Sequence, residues 1–149
     1  MISHSETRRL SYSAEQMFNL VSDIERYPEF IPWCEAVRIN SCDLIHKRNI
    51  KIVNADMVVS FKVFRDTLTS EVTIDKKSNT VNVEYINGPF TFLKNQWLFK
   101  NLENQCEISF YVEFEFKSKI IQRVVGLIFH EAMKRIVKAF EKRARELYY

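Results

Sequence analysis

The spacing of apolar residues changes from a period of two to a period of 3.6 residues near Lys119, and that change limits the possible folds more than any other feature. Between Trp33 and Phe116, apolar residues recur at every second position. The pattern is clearest from Ile108 to Phe116, where apolar residues alternate with Ser, Tyr and Glu. A period of two with one polar face is typical of antiparallel strands that are covered on one side. Turn-forming residues divide the segment into about six strands.

After Lys119 the apolar period becomes 3.6 residues, which predicts one long helix from Ile120 to Leu147. At 1.5 Å per residue this helix would be about 42 Å long. It therefore has to cross the whole sheet to bury its apolar side. At the other end of the chain, Ser3 to Leu10 alternates weakly and predicts one further strand.

A first helix is predicted to follow that strand. Ser13 and Gln16 have the spacing of a capping box, which marks a helix start. Tyr27 and Pro28 are predicted to end the helix, because the residue before a proline avoids the helical conformation. A short second turn is predicted over Glu29 to Ile31.

These elements predict one α+β domain over residues 1–149. A curved antiparallel sheet of about seven strands would wrap around the long C-terminal helix, with two short helices after the first strand. A helix laid in a curved sheet leaves a pocket, and the 12 Phe residues supply rings to line it. Dense packing could equally close that gap, so the pocket stays an open question at this point.

Common catalytic and metal-binding motifs are absent from the sequence. There is no P-loop and no GxSxG, and with two glycines a GxGxxG motif cannot be formed. The three cysteines lack metal-type spacing, and no histidine belongs to an HExxH motif. We therefore predict no catalytic residue, no metal and no cofactor. An enzyme of the cyclase or dehydrase type stays as an alternative.

The chain shows no secretory signal and no apolar stretch of membrane-spanning length. We expect a cytoplasmic protein, and a peripheral position at the inner membrane stays open. From Lys117 onward, nine basic residues stand against three acidic ones, whereas the net charge of the whole chain is +3. This asymmetry indicates an anionic partner. The candidate basic surface comprises Arg123, Lys134, Lys138, Lys142 and Arg145.

Two segments carry a resemblance to a known family. They are the run from Tyr27 to Cys34, Tyr-Pro-Glu-Phe-Ile-Pro-Trp-Cys, and the run from Asn87 to Phe90, Asn-Gly-Pro-Phe. Together with the long helix they resemble the coenzyme-Q-binding START-like family, which includes the bacterial ribosome-association toxins. The resemblance implies a helix-grip fold with a hydrophobic tunnel between sheet and helix.

The resemblance implies two different activities. Mitochondrial members bind ubiquinone, a polyprenyl quinone, and act as its chaperone or carrier without catalysis. The toxin branch binds the large ribosomal subunit, and so its rRNA, and blocks subunit joining. We favour quinone binding, with ribosome binding as the alternative. The basic helix face could then meet either an anionic membrane or rRNA, and a homodimer also stays open.

The candidate ligand-binding residues are the apolar side chains expected on the inner face and on the loop after the first helix. They are Phe30, Trp33, Met57, Val59, Phe61, Val63, Trp97, Phe99, Phe110, Val112, Phe114, Ile128, Phe129 and Met133. The loop itself is a candidate lid that opens toward a membrane, with Tyr27, Pro28 and Pro32 as its further members. A plain proline-rich turn is the other interpretation of this loop.

Overall fold

The structure is a computed structural model that describes residues 1–45, 48–61 and 64–148. It contains seven strands, two α-helices and one 3₁₀ helix. In chain order these are β1 (Ile2–Leu10), α1 (Ala14–Ser22), the 3₁₀ helix (Ile24–Glu29), β2 (Cys34–Ile45), β3 (Ile50–Phe61), β4 (Phe64–Asp75), β5 (Thr80–Asn87), β6 (Phe90–Leu102), β7 (Gln105–Phe116) and α2 (Lys119–Tyr148).

The strands form one antiparallel sheet in the order β1-β7-β6-β5-β4-β3-β2. Each strand from β2 to β6 pairs with the strand that follows it in the chain, whereas β1, which α1 and the 3₁₀ helix separate from β2, pairs with β7. The sheet is curved and α2 lies across it, so the predicted α+β helix-grip architecture is confirmed. No helix in the described part of the chain is long and apolar enough to cross a membrane.

The two ends of the sheet differ in what covers them. At the closed end, defined by the β2–β3, β4–β5 and β6–β7 turns, α1 packs against β5, β6 and β7. At the open end, β7 finishes and α2 begins, beside the turn that holds Gly88 and Pro89. The N–H of Lys117 donates to the carbonyl of Pro89 at 2.8 Å, which fixes the start of α2 against that turn.

The capping box of α1 is confirmed, but the predicted end of the helix is wrong. The Ser13 hydroxyl accepts the Gln16 N–H at 3.0 Å, and the Gln16 side chain accepts the Ser13 N–H at 3.0 Å. The helix ends at Ser22, and a 3₁₀ helix follows that contains Pro28. The predicted second turn over Glu29 to Ile31 is displaced accordingly.

A side chain explains the early end of α1. The Tyr27 hydroxyl donates to the carbonyl of Val21, one of the last carbonyls of α1, which would otherwise lack a partner. Ile24 is buried in the core at the same point. Capping and burial together favour a break after Ser22 over continuation of the helix as far as Tyr27. This is a tertiary effect that the sequence pattern does not contain.

The two halves of α2 are packed very differently. At the closed end, Phe140 and Ala144 are buried, and the Phe140 ring contacts Tyr27, Phe30 and Trp97. In the N-terminal half, Phe129 is the one fully buried residue among those described. The spacing of apolar residues also predicts Val124 and Leu147 on the buried side, but they are 42% and 47% exposed. The N-terminal half of α2 thus packs on the sheet through Phe129 and its apolar neighbours, while Ile120, Val124 and Leu127 stay exposed.

Candidate ligand cavity

A cavity of about 290 Å³ lies beneath the N-terminal half of α2 at the open end of the sheet. We call it the outer cavity. All of its described lining residues are apolar. They are Trp33, Val59, Phe61, Phe64, Phe114, Phe116, Ile120, Ile121, Val124, Val125, Ile128, Phe129, Ala132, Met133 and Ile136.

A second cavity, of about 280 Å³, continues beneath α2 toward the closed end. We call it the inner cavity. Met133 and Ile136 line both cavities, so the two spaces lie end to end along the helix. The inner cavity is bounded by the inner faces of β2 to β7, by the 3₁₀ helix and by α2. Its lining includes three polar residues, Tyr27, Ser70 and Asn95, among apolar ones.

Ser70 is the polar group of the inner cavity with unused bonding capacity. It is only 7% exposed, and its hydroxyl has no hydrogen-bond partner among the described residues. A ligand atom that accepts or donates a hydrogen bond could therefore bond to this hydroxyl.

Asn95 is fixed in place by its neighbours. Its Nδ2 donates to the carbonyl of Tyr111 at 2.9 Å, and its Oδ1 accepts the Trp97 indole N–H at 3.1 Å. Each amide atom retains one further donor or acceptor position. Asn95 thus holds Trp97 in the cavity wall and presents a polar edge to the same space as Ser70.

Tyr27 is held differently from the other two polar residues. Its hydroxyl is occupied by the Val21 carbonyl. Burial raises the pKa of Tyr27 well above its ordinary value, with smaller contributions from Cys34 and Asp23. The side chain is therefore neutral at physiological pH and serves as wall and helix cap. The described lining of both cavities contains no carboxylate, histidine, lysine, arginine or cysteine.

Trp33 stands at the outer cavity with an unusual backbone. Its φ is 68°, a left-handed value that is strained for a bulky residue. Its carbonyl accepts the Ser60 N–H at 2.9 Å, and its ring meets the Phe61 ring edge-on at 5.4 Å between centroids. The conformation turns the chain from the 3₁₀ helix into β2 and places the indole over the cavity. Backbone strain of this kind concentrates at functional sites.

Most of the predicted lining residues surround the two cavities. Those that do are Trp33, Met57, Val59, Phe61, Trp97, Phe110, Val112, Phe114, Ile128, Phe129 and Met133. Val63 lies outside the described residues. That these side chains contact a ligand stays a prediction.

Phe30 and Phe99 do not line either cavity, contrary to our expectation. Phe99 is on the inner face, but α1 covers that end of the sheet and the Phe18 ring meets it edge-on at 5.9 Å. Phe30 lies against Phe140, with the Arg143 guanidinium 5.3 Å from its ring centroid. Both residues are occupied by packing at the closed end.

The predicted lid is fastened to α2. Arg143 donates to Glu29 at 2.9 Å and also contacts Phe30, while Tyr27 and Phe30 both pack on Phe140. Tyr27 lines the inner cavity, whereas Pro28 and Pro32 line neither cavity. Tyr27 and Phe30 are thus held against the C-terminal half of α2, while Trp33 of the same loop lines the outer cavity; that the loop opens as a lid stays a prediction.

Polar residues on the inner face were missed by sequence reasoning. Ser70 and Asn95 share the strand parity of inward apolar neighbours, and that mismatch is the signal that could have found them. The inner face of β1 also carries charge. Arg8 donates to Glu6 at 2.8 Å and to Glu141 of α2, which closes the side of the sheet next to β1.

The predicted basic surface is exposed along the outer side of α2. Its members are Arg123, Lys134, Lys138, Lys142 and Arg145. Lys134 lies 4.0 Å from Glu131, and the other four have no ion pair within the described ranges. The same ranges contain no group of three or more His, Cys, Asp or Glu side chains that could hold a metal ion.

Comparison with known proteins places the chain in a family. A family model described as polyketide cyclase/dehydrase and lipid transport matches residues 10–141. The chain belongs to this family. Among its relatives, the ribosome association toxin RatA of Rickettsia prowazekii is 34% identical over 99% of this chain and 99% of its own length. The mitochondrial coenzyme Q-binding protein COQ10 homolog B of Xenopus laevis is 30% identical over 99% of this chain and 59% of its own length.

Solved structures in the same fold class agree with the architecture. An 18 kDa protein from Caulobacter crescentus has a TM-score of 0.83 at 30% identity, with 99% of each chain covered. A START superfamily protein from Mycobacterium smegmatis has a TM-score of 0.79 at 20% identity, covering 97% of this chain and 98% of the other. The predicted membership of a START-like, polyketide cyclase-like family is therefore confirmed.

Proposed function

We propose that this family member binds a polyprenyl quinone such as ubiquinone and carries it without chemical change. The observation that supports this most directly is the pair of cavities beneath α2. The described lining of the outer one is apolar, and the inner one has Ser70 and Asn95 in its wall. A quinone has the same two parts, an isoprenoid tail and a ring with carbonyl and ether oxygens.

The geometry suggests which part goes where. The ring would occupy the inner cavity, where the Ser70 hydroxyl and the free Asn95 amide position can bond to its oxygens. The tail would run past Met133 into the outer cavity. Each buried CH₂ contributes about 0.8 kcal/mol, so a few isoprene units suffice for tight binding. End to end, the two volumes fall in the range of about 300–1,000 Å³ that is usual for ligand pockets.

Binding without catalysis agrees with the chemistry of the walls. Among the described lining residues the one titratable group is Tyr27, whose hydroxyl is already bonded to a carbonyl. General acid–base catalysis requires a group within reach of the reacting atom and with a pKa near the working pH. We therefore expect bound quinone to be recovered unaltered from the protein.

The two tryptophans allow a direct test. Trp33 lines the outer cavity and Trp97 the inner one, and the sequence has no other tryptophan. Ubiquinone with a tail should quench the fluorescence of both Trp33→Phe and Trp97→Phe proteins. The tail-less ring should quench chiefly the Trp33→Phe protein, in which Trp97 remains.

Organic extraction with mass spectrometry should recover quinone from protein made in a quinone-producing host. An empty extract together with no quenching would refute the proposal.

A second candidate function is binding to the large ribosomal subunit. It is supported by the RatA relatives, at 34–36% identity, and by the unpaired cations along α2. In sucrose gradients after overexpression, the protein should sediment with the large subunit and free subunits should accumulate. The triple variant Lys138→Gln/Lys142→Gln/Arg145→Gln should lose this effect, since phosphate contacts depend on such charges. An unchanged gradient with the native protein would count against this activity.

A further inference from the structure

The outer surface at the start of α2 carries apolar side chains that no described part of the chain covers. Ile120 is 78% exposed and Leu127 is 82% exposed, with Val124 between them. Their spacing of four and three residues puts them on one side of the helix. Single exposed apolar residues are normal, but a continuous group marks an interaction site. We call these three residues the apolar rim.

The apolar rim is continuous with the outer cavity. Ile120 and Val124 line that cavity and are exposed to solvent at the same time, so they form its edge. The N-terminus adds to the same region. Ile2 Cδ1 lies 3.7 Å from the position that a Cβ atom on Gly126 would take, and the side chain of Met1, the residue before it, is largely exposed. Ile120 and Val124 thus form an apolar edge of the cavity, and Ile2 packs near the same part of α2.

Positive charge surrounds the apolar rim. Lys117, Lys119 and Arg123 are exposed in the same two turns and have no ion pair among the residues that the structure describes. Glu131, the acid that follows on the helix, is next to Lys134 instead. Apolar side chains bordered by cations on a helix match the boundary between headgroups and acyl chains of an anionic bilayer.

The same features argue against other occupants. Nucleic acid would pair with the cations but would leave Ile120 and Leu127 uncovered or facing phosphates. A second copy of the chain would bring two sets of the three cations together. An anionic bilayer would cover the apolar rim with acyl chains and pair the three cations with its headgroups.

We propose that the apolar rim and its three cations dock this protein on anionic membranes, with the opening of the outer cavity facing the acyl chains. The purpose of this docking rests on the proposed quinone binding, because the isoprenoid tail of the quinone could then pass between the bilayer and the outer cavity without crossing water. The docking itself requires no quinone and can be measured separately. It differs from the membrane lid predicted after the first helix, which the structure fastens to Phe140 and Arg143.

Flotation with quinone-free vesicles tests the docking. Native protein should bind vesicles of phosphatidylcholine mixed with phosphatidylglycerol, and bind vesicles of phosphatidylcholine alone weakly. Leu127→Glu should lower binding to the mixed vesicles by about tenfold or more, because one inserted leucine is lost and a repelled charge added. The matched control is Leu147→Glu, the same change at an exposed leucine near the other end of α2. It should retain native binding.

The charges are tested in the same way. Lys117→Gln/Lys119→Gln/Arg123→Gln should reduce binding to the mixed vesicles strongly, whereas Lys138→Gln/Lys142→Gln/Arg145→Gln should reduce it little. Native-level binding by Leu127→Glu, or equal losses in the two triple variants, would overturn the proposal.

A quinone titration separates this proposal from the quinone hypothesis. Leu127 does not line the cavities, so Leu127→Glu in detergent solution should show native tryptophan quenching by quinone. Loss of vesicle binding with quenching retained supports the docking surface. Vesicle binding by the native protein without any quenching would leave the docking intact and refute the quinone alone.

Discussion

At the scale of single residues, a glycine sets the turn beside the start of α2. Gly88 has a φ of 146°, and a Cβ atom there would lie 3.0 Å from the Thr67 carbonyl oxygen and 3.3 Å from the Leu68 Cα. The position therefore needs glycine both for its backbone conformation and for space. Gly126, the other glycine, is helical and exposed, and there a Cβ would meet only Ile2 at 3.7 Å.

The two glycines predict opposite effects of the same substitution. Gly88→Ala should lower the free energy of unfolding by about 1–3 kcal/mol, from backbone strain and the contact with Thr67. Gly126→Ala should raise it by about 0.5–1 kcal/mol, because alanine is the better helix former. Urea unfolding of both variants measures these two changes in the free energy of unfolding. Equal midpoints for Gly88→Ala and the native protein would contradict the described turn.

The unpaired hydroxyl of Ser70 gives a second prediction at this scale. Ser70→Ala should leave the empty protein about as stable as before, since the Ser70 hydroxyl forms no hydrogen bond within the described residues that the substitution would remove. The affinity for quinone should fall about threefold to tenfold, the value of one hydrogen bond. Tryptophan quenching measures the affinity, and Ser109→Ala on the other face of the sheet is the control. An unchanged affinity would remove Ser70 from the ring site.

At the scale of elements, α2 combines a packed half with a loosely packed half. Phe140 and Ala144 hold the closed end, and Arg143 ties it to Glu29. The half that covers the outer cavity has exposed Ile120 and Val124 and an apolar space beneath it. Low local stability is expected where few apolar contacts are buried. The part of α2 that covers the outer cavity is thus also the part that is expected to open more readily.

Hydrogen exchange should resolve the two halves of α2. Without ligand, backbone amides over residues 122–130 should exchange faster than those over 136–144, because opening the first segment breaks fewer buried contacts. Bound quinone should slow the first segment more than the second. A uniform rate along the helix, with or without quinone, would contradict this picture.

At the scale of the whole molecule, charged side chains tie the edge strand β1 to the long helix. Arg8 bonds to both Glu6 and Glu141 across the inner face. Burial on its own raises the pKa of Glu6, but hydrogen bonds from Arg8 and His4 outweigh it and the pKa lies below the ordinary 4.5. The unfolded chain therefore binds a proton at Glu6 more readily than the folded protein does.

This difference predicts an acid dependence of stability. The contribution of Glu6 is fully present above pH 4.5, and it is lost as the pH falls from there through the lower pKa of the folded protein. Over that pH range the unfolding free energy of Glu6→Gln should fall less steeply than that of the native protein. Glu103→Gln, in the β6–β7 turn, is the control and should retain the native slope. Identical slopes for Glu6→Gln and native protein would contradict the assignment.

Much of the fold could be predicted from residue patterns. Alternation identified the strands, and Ser13 with Gln16 identified the start of α1, because these signals are local. The end of α1 could not be predicted in this way. It depends on Tyr27 reaching back to Val21, and no pattern along the chain reports which side chain caps a carbonyl.

The candidate site was predictable only in part. Strand parity put Met57, Trp97 and Phe110 on the inner face, and these residues do line the cavity. Strand parity also put Phe99 on the inner face, but α1 covers this residue. Parity predicts which face of the sheet a side chain lies on, and it does not predict which element packs on that face. Ser70 and Asn95 were overlooked, although a polar residue at an inward position was visible in the sequence.

The sequence by itself determined the number of strands, the long helix, its basic outer side and the membership of a family. Periodicity and short motifs are properties of neighbouring residues, and these features follow from them. Only the tertiary structure decided where the helix lies close to the sheet and where it does not. That depends on side chains far apart in the chain, such as Phe140 on Trp97 at one end and exposed Ile120 at the other. The cavity, its open end and the apolar rim all result from this uneven packing.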